Sequence, residues 1–198
     1  MGQRGVEQKG VDAGRGSALT AGGADRIPAW VDGRLQPVGK LDAHLRGLRH
    51  KAISIFVLRG DQMLLQQRAL SKYHTPGLWT NACCTHPHWR ENATRCATRR
   101  LEEELGVVDL PLEPRGKIEY RADVGGGLIE HEVVDVFLAA APKTIVLRPD
   151  PDEVMATRWV SRAALQSEID ASPERFTPWF KIYLSQHAQQ IFGDEAAA

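Results

Sequence analysis

Arg99-Arg100-Leu101-Glu102-Glu103-Glu104-Leu105-Gly106-Val107 ends an apolar-striped segment on three successive carboxylates and a glycine. Ala93, Cys96, Ala97, Leu101 and Leu105 recur at spacings of three and four. That period predicts a helix over about residues 92–105. Gly106 suits its C-terminal stop. Three adjacent carboxylates repel one another and sit at the negative end of the helix dipole. A solvated charge run would account for them. A cation would also relieve the repulsion, and oxygen ligands suit hard Mg²⁺.

Outward from this helix, the pattern is that of strands. Residues 52–58 form a continuous apolar run, and Arg59-Gly60-Asp61 turns it into a second strand over 63–67. Residues 70–79 read as loop, with Pro76-Gly77 as punctuation. A short strand over 79–84 leads toward the helix. Beyond the helix, strands are expected at 117–121 and 129–139, around Gly125-Gly126-Gly127, and at 145–147 and 157–160. Helices are expected at 162–169 and 179–191. Structure should begin near Ala29, with Asp32-Gly33 as a hairpin turn. The fold class is α/β (α+β): a mixed sheet sandwiched by helices, in one domain.

The chain has 198 residues, 42% apolar and 25% charged. That suits one domain over 27–192. Residues 1–26, rich in Gly, Ala and Arg, read as a disordered tail, and 193–198 as a flexible C-terminus. The formal net charge is zero, which gives no global field for nucleic acid or an anionic membrane. No apolar run reaches the roughly 18–20 residues of a membrane helix, and no secretory signal is visible. The three cysteines, Cys83, Cys84 and Cys96, are a poor disulfide framework. A reducing cytoplasm is expected. The oligomeric expectation is a monomer or homodimer.

The run 99–107 resembles the second half of the Nudix box, with Glu91 at the box's first glutamate and seven residues between it and Arg99. Two positions depart: Thr85 stands for the leading glycine, and Arg100 for the glutamate after the arginine. Nudix hydrolases cluster carboxylates around several Mg²⁺ ions to activate water. Arg100 replaces one carboxylate by a fixed cation, which argues against hydrolysis. A single Mg²⁺–diphosphate unit still fits, with Arg100 facing phosphate.

Trp79-Thr80-Asn81-Ala82-Cys83-Cys84-Thr85-His86-Pro87 runs directly into that box. It resembles the Thr-Asn-x-x-Cys-x-His-Pro signature of type I isopentenyl-diphosphate isomerases. Tyr120-Arg121 with Glu130-His131-Glu132, Phe176-Thr177-Pro178-Trp179, and Arg68-Ala69-Leu70-Ser71-Lys72 match further elements of that family, covering about residues 30–183. The resemblance implies proton transfer through a tertiary carbocation in a five-carbon diphosphate. Cys84 and Glu132 would be the acid–base pair, Tyr120 a phenol assisting beside the glutamate, and Trp179 a π face for the cation. It further implies a site for one Mn²⁺ or Zn²⁺ from His44, His50, His86, Glu130 and Glu132. Lys40, Arg68, Lys72 and Arg100 would bind the diphosphate. Glu104 and the main-chain carbonyl of Cys84 would hold Mg²⁺. The alternative is a Nudix hydrolase of a nucleoside diphosphate derivative.

One part of this is independent of the resemblance. Glu130 and Glu132 are two apart on a strand, so both project to one face and His131 to the other. Two carboxylates on one face are costly unless paired or metallated. Cys83 should point away from Cys84, and Cys96 should lie in the helix core. His74, His88 and His187 read as ordinary surface or loop residues, His131 as a non-ligand, and Trp79, Trp89 and Trp159 as packing residues.

Overall fold

The computed structural model describes residues 26–193. The first hairpin, β1 (Arg26–Val31) and β2 (Arg34–Gly39), turns on Asp32 and Gly33. Both residues have positive φ, 50° and 74°, which matches the right-handed strand twist. A six-residue helix follows, α1 (Lys40–Leu45), then β3 (Arg49–Arg59) and β4 (Gln62–Arg68). Two short strands, β5 (Trp79–Asn81) and β6 (Cys83–Thr85), precede the long helix α2 (Ala93–Leu105). Next come β7 (Glu113–Asp123), β8 (Ile129–Ala140) and β9 (Val154–Ser161). Helices α3 (Arg162–Ala171), α4 (Pro178–Gln186) and α5 (Ala188–Phe192) close the chain.

β3 organises the sheet. It pairs in parallel with β8 along its length and antiparallel with β1, β4 and β6. A strand flanked on both edges and covered on both faces must be apolar throughout, as 52–58 is. Ile53, Ile55 and Val57 face one way and pack with Cys83, Cys96 and Leu101 beneath α2. Ala52, Phe56 and Leu58 face the other way, toward Phe180, Tyr183 and Phe192 of α4 and α5. Helices thus cover the mixed sheet on both sides, as the sequence predicts.

α2 starts where expected: Asn92 accepts the Arg95 amide at 2.8 Å as an N-cap. Gly106 ends it at φ 64°, and a Cβ there would lie 2.7 Å from the Cβ of Arg148. Glycine is required by both conformation and space.

Several expectations are corrected. Residues 145–147 form no strand. The amides just beyond them, of Arg148 and Asp150, instead donate to the carbonyls of Leu105 and Glu104 at the end of α2. Those carbonyls have no partner within their helix. The single helix expected at 179–191 is two, broken at His187, shortly after Ser185 turns its hydroxyl back onto the Lys181 carbonyl at 2.7 Å. The strand expected at 79–84 is likewise two. Arg26, placed in the tail by sequence, opens β1. The rest of that tail, and the C-terminal segment beyond Gly193, lie outside the described residues.

Candidate active site

Three elements bring the histidines together. His44 lies on α1, His50 near the start of β3, and His86 just after β6; all three are buried. Their ring centroids lie 4.7–5.1 Å apart. Parallel pairing of β3 with β8 sets Glu132 opposite His50. The ligand atoms of His44, His50, His86 and Glu132 all fall within 4.8 Å of one another.

The tautomers follow from the partners. The Nδ1 atoms of His44 and His50 lie 2.7 Å from the carbonyls of Lys40 and Leu48. A carbonyl only accepts, so each Nδ1 carries the proton. Each Nε2 is left with a lone pair, buried and without a hydrogen-bond partner. Burial and the neighbouring His50 hold His44 down at about 4, and burial holds His86 well below its usual value. Neutral imidazoles with oriented, unsatisfied lone pairs beside a carboxylate are what a divalent cation requires.

The fifth expected member stands slightly apart. Glu130 forms a second group with His44 and His74, again within 4.8 Å. His74 is therefore not the ordinary loop residue that sequence suggests. It is buried, with Nε2 3.0 Å from Glu130. Tyr120 bridges the carboxylates, its hydroxyl 2.9 Å from Glu130 and 2.7 Å from Glu132. A phenol has one proton, so it donates to only one of them at a time. Burial and the charge of Glu132 push Glu130 well up. Burial opposes the charge on Glu132, yet the imidazoles of His50 and His86 beside it hold that carboxyl well below its usual range. His131 projects from the opposite face toward Glu119, away from the cluster.

Cys84 faces this same space from β6, while Cys83 is buried toward α2 as expected. All three cysteines are free. The Cys84 thiol donates to Asn81 Oδ1 at 3.0 Å and lies 3.3 Å from Ser54 Oγ. Asn81 Nδ2 donates to Ser54 Oγ at 2.9 Å, leaving the Ser54 proton for the sulfur. Burial raises the Cys84 thiol to about 12, against these hydrogen bonds. Thr80 donates to Asn81 Oδ1 and receives the indole N–H of Trp179 at 3.0 Å. Ser54 was not marked by sequence, because a serine within an apolar strand carries no periodic signal. Asn81 lies inside the quoted signature, but nothing in the sequence gives it a partner.

A cavity of about 590 Å³ opens over these groups, and every side chain assigned to the site by sequence except His44 and His50 lines it. Those two lie just behind, closing the cation cluster. Of the expected phosphate cations, Lys40 stands over the Tyr73 ring at 5.6 Å. Arg68 is buried, with its guanidinium 5.3 Å from the Trp179 ring. Lys72 pairs with Glu153. Arg100 is held by Glu104 at 2.6 Å, Glu103 at 2.9 Å and Glu153 at 3.2 Å. Glu104 is the one buried member of the acidic run and also accepts from Gln66 at 3.2 Å. Among the described residues no further ligand cluster forms around it. Glu91 binds Arg99 through both oxygens at 2.8 Å and holds the start of α2 rather than facing the cavity.

Comparison with known proteins agrees with this geometry. Residues 48–180 match the NUDIX domain. An isopentenyl-diphosphate Delta-isomerase of Rhodobacter capsulatus is 65% identical over 168 residues, covering 85% of this chain and 96% of that protein. One from Roseobacter denitrificans is 62% identical, covering 86% and 97%. A Deinococcus radiodurans structure superposes with a TM-score of 0.61 at 14% identity, covering 84% of this chain and 99% of that one, which speaks to fold alone. A MutT NUDIX hydrolase from Burkholderia pseudomallei gives a TM-score of 0.54 at 25% identity over 70% of this chain and 98% of its own. Similarity of this extent across nearly the whole of its relatives, with a thiol and a buried carboxylate facing one cavity, settles the family: the chain belongs to the isopentenyl-diphosphate Delta-isomerases built on a NUDIX domain.

Proposed function

We propose that the chain interconverts isopentenyl and dimethylallyl diphosphate, with Cys84 and Glu132 as its proton-transfer pair. The observation that carries this reading is that the Cys84 thiol and the Glu132 carboxylate line one cavity from strands on either side of β3. The relatives named above bear the name of this reaction.

In the forward direction the terminal alkene carbon gains a proton and the tertiary centre becomes cationic. The methylene next to the diphosphate-bearing carbon then loses a proton, and the double bond forms there. No electrons leave the substrate, so no redox partner is needed. Cys84 and Glu132 approach the carbon skeleton from opposite walls. Tyr120 steadies Glu132 by hydrogen bond as its proton comes and goes. The indole of Trp179 faces the cation, an attraction of roughly 1–2 kcal/mol in a dry pocket. Burial of the site keeps water from capturing the cation.

His44, His50, His86, Glu130 and Glu132 would hold one Mn²⁺ or Zn²⁺, since a mixed nitrogen and oxygen set suits either. That ion would compensate the paired carboxylates and fix Glu132. Lys40, Arg68, Lys72 and Arg100 would take the diphosphate, with Arg100 turning from Glu104 to phosphate oxygens. Glu104 and the Cys84 carbonyl would hold the accompanying Mg²⁺. The Arg100 ion pair with Glu103 also weighs against hydrolysis, because it engages a carboxylate that would gather extra Mg²⁺.

The test is solvent deuterium incorporation into the five-carbon diphosphate. Wild type should incorporate it and form the isomer. Cys84→Ala and Glu132→Gln should each abolish exchange. Wild-type exchange in Cys84→Ala would overturn the assignment, and release of phosphate without isomerisation would favour a hydrolase.

A further inference from the structure

His74 is the one buried histidine of the site that the sequence reading did not enlist, and both its nitrogens are engaged. Its Nδ1 lies 3.4 Å from Arg68 Nη2. A guanidinium only donates, so Nδ1 accepts and the ring proton sits on Nε2. That Nε2–H points at Glu130 Oε1, 3.0 Å away. The other oxygen of Glu130 is bonded to Tyr120 at 2.9 Å. Both ends of the Glu130 carboxyl are thereby pinned.

The loop that carries His74 is built around Arg68. The guanidinium donates to the His74 carbonyl at 3.0 Å and, through Nε, to the Thr75 carbonyl at 3.1 Å. Thr75 is a β-branched residue at φ 47°, a conformation that such residues avoid. Tyr73 stacks on the imidazole with centroids 4.4 Å apart, and Trp179 lies 5.9 Å away on its surround. A merely packed histidine would need the stacking but neither polar contact. Strain beside a side chain with both polar atoms committed marks a position held for function.

We propose that His74 is a positioning residue that orients Glu130 for the cation cluster and ties it to Arg68, so that the ion site and the anion-binding end of the cavity are held by one hydrogen-bonded chain. The inference rests on reading the cluster as a divalent-cation site. Groups that orient a metal's ligands govern affinity almost as strongly as the ligands do.

The experiment is Mn²⁺ titration of the metal-stripped full chain, as wild type, His74→Gln and His74→Asn, with thermal melts to establish that each is folded. A glutamine amide can reach the place of Nε2 and donate to Glu130; an asparagine amide is too short. His74→Gln should bind Mn²⁺ within a few-fold of wild type, and His74→Asn about 10–100-fold more weakly. Wild-type affinity in His74→Asn, or equal weakening in both variants, would overturn the proposal. Absence of Mn²⁺ binding by wild type would overturn the reading of the cluster instead.

Discussion

The Cys84 thiol donates to Asn81 Oδ1 at 3.0 Å, three residues back along the same short turn between β5 and β6. Asn81 also donates to Ser54 Oγ and to the Ile55 carbonyl at 2.8 Å, fastening that turn to β3. Asn81→Ala leaves the thiol and both β3 groups without their partner. A fall in kcat of about 10–100-fold is expected, with KM little changed, because the sulfur loses orientation rather than contact with bound diphosphate. Stability should fall by roughly 2 kcal/mol. Steady-state kinetics with urea unfolding would check both, and an unchanged kcat would refute the positioning of the thiol.

Tyr120 shares its hydroxyl between Glu130 and Glu132, and removing it separates two effects. Tyr120→Phe keeps the ring packed against Tyr183, 5.6 Å away. Mn²⁺ affinity should fall by about 10-fold, because the hydroxyl orients both carboxylates. The kcat should drop by about a hundredfold, the scale of a lost proton-transfer aid. Full activity in the variant would show that the phenol serves only packing.

Trp179 offers both a ring and an N–H, the latter donated to Thr80 at 3.0 Å. Trp179→Phe keeps a π face and loses the hydrogen bond; Trp179→Leu loses both. If the cation is felt by the ring, kcat should fall only a few-fold in the first and by about 30-fold in the second, equivalent to roughly 2 kcal/mol. Equal losses in the two variants would assign the role to the Thr80 bond instead.

Glu91 is held down at about 2 by the Arg99 guanidinium, against the opposing effect of its burial. A carboxyl lowered on folding stabilises the protein above its unfolded value near 4.5, and the contribution fades as pH falls toward 2. Linkage, discounted for the solvent that screens this half-buried pair, puts it at about 1 kcal/mol near neutrality. Glu91→Gln should therefore be less stable than wild type at pH 7. The gap should close progressively below pH 4.5. Urea midpoints across that range would decide it, and a gap independent of pH would show that the pair contributes nothing through charge.

Most of the site was legible because its residues sit in runs with strong local meaning. The Asn92 cap, the apolar stripe and Gly106 specify α2, and the two-residue spacing of Glu130 and Glu132 already places both on one face. α1 escaped notice because six residues make less than two helical turns, too few for a period to emerge. His74 escaped because an isolated histidine in a loop has no pattern of its own. Its meaning depends on Arg68 and on Glu130, 56 residues away. Residues 145–147 misled because their apolar run suits a strand, while the backbone just beyond is drawn to the end of α2.

β3 behaves as a ruler for the chemistry. His50 marks the level of Glu132 on one neighbour, and Ser54, four residues on, marks the level of Cys84 on the other. A single residue inserted between them would turn one mark to the opposite face and shift its level by about 3.3 Å. Thiol and carboxylate would then no longer share a substrate, though each would keep its own neighbours. Natural variation in length should accordingly be confined to the ends of the hairpins, such as Gly125-Gly126-Gly127, and should spare the stretch from His50 to Ser54.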